Sequence, residues 1–194
     1  ARVLAHAGAG GRIPGLDRGL AHGETVRVGK TVELECLDTP GHTRAHLCLL
    51  ARGRSATAAP DLLCGDTLFN AGAGNCHNGG DPRLLYHTFV DCLARLPDAT
   101  LIHPGHDYLA RNLAFTLDRE PGNGDAAALL AAVQGRDGAQ APTTTLGDER
   151  RINTFFRLQH PAVIAGLRGT FADLAERPDA ETIFLKLREL RNRW

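Results

Sequence analysis

The alternation of apolar and polar positions divides the chain into a strand-rich first part and a helical remainder. Val32, Leu34 and Cys36 alternate with Glu33 and Glu35, the period-two signature of a strand with one buried face. Residues 25–28 precede it across Gly29-Lys30, which predicts a hairpin. Residues 2–6 and 46–51 read as further short strands, and the glycine-rich 8–19 as loop. A small-residue loop over 52–60 leads into Asp61-Leu62-Leu63-Cys64-Gly65-Asp66, a buried strand that ends on a glycine and a carboxylate. After an irregular stretch, 72–80, Asp81-Pro82 has the N-cap and first-turn chemistry of a helix running to about Leu96. Leu85, Phe89, Cys92 and Leu96 give that helix one apolar face. Residues 100–103 make the last strand.

Beyond them the period changes. Residues 109–119, 126–133, 148–156, 161–167 and 179–193 read as helices separated by Pro, Gly and Asp, with Leu185, Leu187 and Leu190 as packing positions. The shift predicts an α/β chain in two units, residues 1–110 with the strands and 111–194 all helical.

Composition narrows the function. The chain has 194 residues and 43% hydrophobic content, enough to bury a core. Lys+Arg and Asp+Glu balance at 22 each. The chain therefore has neither the basic footprint of a nucleic-acid binder nor a polybasic membrane anchor, and a small-molecule partner is expected. Five cysteines without a CxxC spacing favour a reducing, cytoplasmic setting. No apolar run reaches the roughly 20 residues needed to cross a bilayer. The chain contains no Met and begins with Ala1, so an N-terminal portion is expected to be missing.

The candidate chemistry starts at Asp66. An ionised carboxylate at the tip of a buried strand is costly unless it is paired or binds a metal. His42, in Thr39-Pro40-Gly41-His42-Thr43, and His106, in Pro104-Gly105-His106-Asp107-Tyr108, stand in the same setting of extended segment, glycine turn and ligand side chain. Imidazoles and a carboxylate presented from successive strand ends suit a zinc-type cation.

These motifs, with Gly65-Asp66-Thr67-Leu68-Phe69, Asn112-Leu113 and Glu120-Pro121, resemble the metallo-β-lactamase superfamily and, within it, the glyoxalase II (hydroxyacylglutathione hydrolase) family. The resemblance implies an αββα sandwich, of which this chain holds mainly the second half, followed by a helical substrate-binding region. It implies two divalent metal ions, zinc with iron or manganese as alternatives. His42 would bind the first, His106 the second, and Asp66 would bridge them as the catalytic carboxylate. A hydroxide held between the ions would attack a glutathione thioester such as S-D-lactoylglutathione. The family's Thr-His-x-His-x-Asp-His motif is absent, which leaves three ligands for two ions.

Tyr108 matches a residue that bonds the glutathione backbone, and Arg188 and Arg191 match a basic pair that binds its glycyl carboxylate. Asn75 and His77 stand where the family has a basic and an aromatic residue. Two other functions fit some of these residues: an iron-dependent persulfide dioxygenase of the same superfamily, and a thiol-binding fragment without turnover. Half a sandwich would also expose an apolar face and open strand edges.

Overall fold

The computed structural model describes residues 1–52, 58–135 and 142–194. The expected loop over 52–60 therefore falls largely outside the described residues. Five strands form the main sheet in the order β3-β4-β5-β6-β9: Thr25–Val28, Val32–Asp38, Leu47–Ala51, Asp61–Gly65 and Leu101–Pro104. The first four pair antiparallel, and β9 lies parallel to β6. A second pair, β1 (Leu4–His6) and β2 (Arg18–Leu20), is parallel. The third is the two-residue hairpin of β7 (Leu68–Phe69) and β8 (Gly72–Ala73).

Alternation sorts the two faces of the main sheet. Leu37, Cys48, Leu50, Leu62, Cys64 and Ile102 are buried in one core cluster with Phe89, Phe115, Phe155, Phe184 and Leu187. Each Leu or Phe fully removed from water stabilises the fold by roughly 1.5–3 kcal/mol. The cluster joins strands from before residue 110 to helices after it. On the opposite face, Cys36, Leu49, Leu63 and His103 stand in register as one row, running from fully buried Cys36 to a 45% exposed Leu63.

Five of the six described helices join the core on the first face, and the third in order packs on two of the others through Ala126 and Val133. The six are α1 (Pro82–His87), α2 (Leu109–Arg119), α3 (Gly124–Val133), α4 (Leu146–Ile152), α5 (Pro161–Arg168) and α6 (Ala180–Arg193). Asp81 caps α1 as expected, accepting from the N–H groups of Arg83 and Leu84. The helical path then widens to π geometry over Thr88–Cys92 and tightens to a 3-10 turn at Leu93–Arg95. The widening begins where Thr88 Oγ1 reaches 2.7 Å to the carbonyl of Pro40.

The helix expected over 148–156 starts earlier and breaks sooner. A capping box between Thr145 and Asp148 starts it, and Asn153 accepts from the N–H of Phe155 to begin a separate 3-10 turn, Thr154–Phe156. The expected loop over 8–19 holds the 3-10 turn Ala7–Ala9 and the beginning of β2, and the irregular stretch from 72 opens on β8.

Candidate metal-ligand cluster and thiol-ligand cleft

The C-terminal ends of β6 and β9 bring the expected ligands together. Asp66 follows the end of β6 and His106 follows the end of β9, which pairs parallel to it. The Nδ1 of His106 is 2.8 Å from Asp66 Oδ1. His42, on the turn between β4 and β5, presents Nε2 to the other carboxylate oxygen, Oδ2, at 3.6 Å. Its Nδ1 is 2.7 Å from the carbonyl oxygen of Asn75. A carbonyl only accepts, so Nδ1 carries a proton, and the neutral tautomer this bond selects has its lone pair on Nε2, the nitrogen turned to Asp66.

That tautomer is the one metal-binding histidines use, with the second nitrogen donating to the protein. The 3.6 Å gap is too wide for a hydrogen bond but can be spanned through a cation at the roughly 2.0–2.2 Å bond lengths of zinc. Among the described residues, however, no three His, Cys, Asp or Glu side chains close on one point. The three residues fit as part of a donor set, and not as a whole site.

Two glycines make the cluster possible. A Cβ at Gly74 would lie 1.9 Å from the backbone oxygen of Asp66, and one at Gly105 would lie 2.7 Å from Asp66 Oδ1. Beneath the cluster sits His46, whose Nδ1 is 2.9 Å from both Thr39 Oγ1 and Thr67 Oγ1. Burial, helped by the neighbouring His42, lowers its pKa to about 4, so it is neutral. The sequence reading did not single out His46. Asp107 caps α2 through the N–H of Leu109, and His103 pairs with Asp61 at 2.8 Å.

An aromatic group links this cluster to a cleft of about 220 Å³. Tyr108 stacks on His106, ring centroids 5.6 Å apart, and meets Phe69 edge-on at 5.1 Å. Tyr108 and Phe69 are part of the cleft wall, which also holds Asn75, His77, Arg188 and Arg191. All five residues expected to touch substrate thus line one space. Arg111, Asn112 and Asn192 complete its polar wall; Arg111 and Asn192 carry no local sign in the sequence because they sit on ordinary helical faces of α2 and α6.

The two arginines that the resemblance pairs stand in different surroundings. Arg188 is 4% exposed and donates through Nη1 to the carbonyls of Ala73 and Gly74 at 2.7 and 3.0 Å. Burial lowers its pKa to about 10, so it stays charged at neutral pH. Arg191 is half-buried and donates to Asn112 Oδ1 at 3.1 Å. Burial, followed by the nearby Arg111, also lowers its pKa.

A family model described as "Hydroxyacylglutathione hydrolase C-terminus" matches residues 107–194. A hydroxyacylglutathione hydrolase from a Polaromonas species is 61% identical over 194 residues, covering all of this chain and 72% of the relative. The chain belongs to the hydroxyacylglutathione hydrolase family. A second member, from Nitrosococcus oceani, is 58% identical over 193 residues, with the same shares of each chain covered. Members of this family are thioester hydrolases.

Among solved structures, a metallo-β-lactamase from Staphylococcus aureus superposes with a TM-score of 0.56 at 20% identity, covering 98% of this chain and 50% of that one. ETHE1 from Myxococcus xanthus gives a TM-score of 0.57 at 23% identity, with 98% and 66% covered. At such identities the likeness speaks to fold, and the fold is that of the metallo-β-lactamases.

Proposed function

We propose that the chain hydrolyses a glutathione thioester such as S-D-lactoylglutathione, adding water across the acyl–sulfur bond to release a hydroxy acid and glutathione. One observation supports this above the others: a cleft walled by arginines and without a carboxylate opens beside the His42–Asp66–His106 cluster, joined to it by Tyr108. In this reading His42, Asp66 and His106 would help to hold two divalent cations, zinc with iron or manganese as alternatives. Such cations would supply hydroxide near neutrality, since zinc brings the pKa of bound water to about 7, and would stabilise developing negative charge.

The chain's own residues bind and orient. Arg191 takes the glycyl carboxylate, Arg188 fixes the β7–β8 hairpin that forms the cleft floor, and Asn75, His77 and Tyr108 grip the peptide backbone. Residues 1–110 then carry the metal donors and the grip on the peptide backbone, and 111–194 the arginine that takes the carboxylate. A reducing, cytoplasmic setting fits the five cysteines, none of which forms a disulfide. No described helix is long and apolar enough to cross a membrane.

Thiol release from S-D-lactoylglutathione tests the proposal, with oxygen uptake followed in parallel. Thiol release without oxygen consumption is expected. Oxygen uptake on a glutathione persulfide by protein with one iron per chain would favour the dioxygenase, and ligand binding without turnover in metal-loaded protein would favour a thiol-binding role.

A further inference from the structure

Arg111, Arg188 and Arg191 surround one cleft whose wall contains no carboxylate. The larger cavity of the molecule, about 530 Å³, shows the contrast. Its arginines are matched by acids, Arg150 with Asp98 at 2.8 Å and Arg157 with Glu120 at 2.6 Å. In the cleft, the hydrogen-bond acceptors recorded for these guanidinium groups are main-chain oxygens and side-chain amides: Trp194 O, on the last residue, at 3.2 Å for Arg111, Asn112 Oδ1 for Arg191, and the Ala73 and Gly74 carbonyls with Asn192 Oδ1 for Arg188. Neighbouring cations repel one another, and after burial Arg111 is the main charge that lowers the pKa of Arg191. The charge is neutralised when an anion enters.

The proposed function assigns one ligand carboxylate to Arg191, and Arg188 is committed to the backbone, which leaves Arg111 with none. Arg111 is exposed at the start of α2, one helical turn from the cap at Asp107, so its guanidinium is available from solvent. A glutathione moiety carries two carboxylates, one at each end of the tripeptide. We infer that Arg111 is a specificity-determining residue that receives the second, γ-glutamyl carboxylate while Arg191 holds the glycyl one. The assignment rests on the thiol-ligand reading of this cleft. It makes the cleft selective for thiol peptides with two carboxylates over those with one, and it leaves the reacting thioester untouched.

The test is calorimetric titration of the full chain with S-methylglutathione and with S-methylcysteinylglycine, the same peptide without its γ-glutamyl arm. Arg111→Gln is expected to weaken S-methylglutathione about tenfold, the size of one charge-assisted hydrogen bond, and to leave S-methylcysteinylglycine unchanged. Arg191→Gln is expected to weaken both, and Arg111→Lys to recover part of the loss. If Arg111→Gln weakens both ligands equally, or neither, while Arg191→Gln weakens both, this inference is overturned and the thiol-ligand reading stands. If the unmutated chain binds neither peptide, that reading fails and the inference with it.

Discussion

Arg188 and Arg191 stand three residues apart on α6, yet burial gives them different duties. Replacing Arg188 with Met would strip two buried carbonyls, Ala73 and Gly74, of their donor. Each unsatisfied buried acceptor costs about 1–3 kcal/mol, so Arg188→Met is expected to lower the urea midpoint and weaken ligand binding together. Arg191→Gln is expected to raise KM with the urea midpoint nearly unchanged. Equal loss of stability in both variants would contradict this division. The spacing of the pair was legible in the sequence because side chains three apart share a helix face. That Arg188 is used by a hairpin more than a hundred residues earlier was not, since nothing local encodes such a partner. His42, Asp66 and His106 were legible for the opposite reason: each follows an extended segment and a glycine turn, a signature carried in five or six consecutive residues.

At the scale of elements, the β7–β8 hairpin is positioned by α4. Glu149 on α4 is fully buried and accepts from the N–H of Ala71 at 3.0 and 2.9 Å, from Thr144 Oγ1 at 2.7 Å and from Asn153 Nδ2 at 2.7 Å. Ala71 has φ of 57°, the one described non-glycine residue at positive φ, and this carboxyl holds it there. Burial raises the Glu149 pKa from 4.5 to about 7 against those donors. Between these values the folded protein keeps a proton that the unfolded chain has released.

The contribution of Glu149 to stability therefore falls as pH rises through that window, by up to about 3 kcal/mol at 1.36 kcal/mol per pKa unit. Urea midpoints of wild type and Glu149→Gln at about pH 5 and about pH 8 check the sign. Wild type is expected to lose ground to the Gln variant as pH rises, and a constant difference would show that the carboxyl is not shifted. Strands β3 to β6 and the cap of α1 could be read in advance from alternation and Asp81-Pro82. The two-residue strands β7 and β8 could not, because they are shorter than any period, and the link from Glu149 to Ala71 spans 78 residues.

For the whole molecule, the resemblance implied an αββα sandwich of which this chain holds mainly the second half, and the described residues form one five-stranded sheet, with its core on the helical face, and two small strand pairs. The row from Cys36 to Leu63 on the other face agrees with the expectation of an apolar face open in part to solvent. The cleft was not legible as a space, since its wall gathers the β7–β8 hairpin, the start of α2 and the end of α6. Chemistry and binding meet at Tyr108, which lines the cleft and stacks on His106.

Asp66 has an imidazole at each carboxylate oxygen, and in the proposed function it belongs to the metal centre of a thioester hydrolase. Metal content per chain, measured by elemental analysis on protein expressed from the complete gene as wild type and as Asp66→Asn, tests it most directly. Two divalent ions are expected in wild type, and in the variant a loss of bound metal together with a loss of thiol release from S-D-lactoylglutathione. Wild-type protein without bound metal, or an Asp66→Asn variant that keeps both metal and activity, would contradict it.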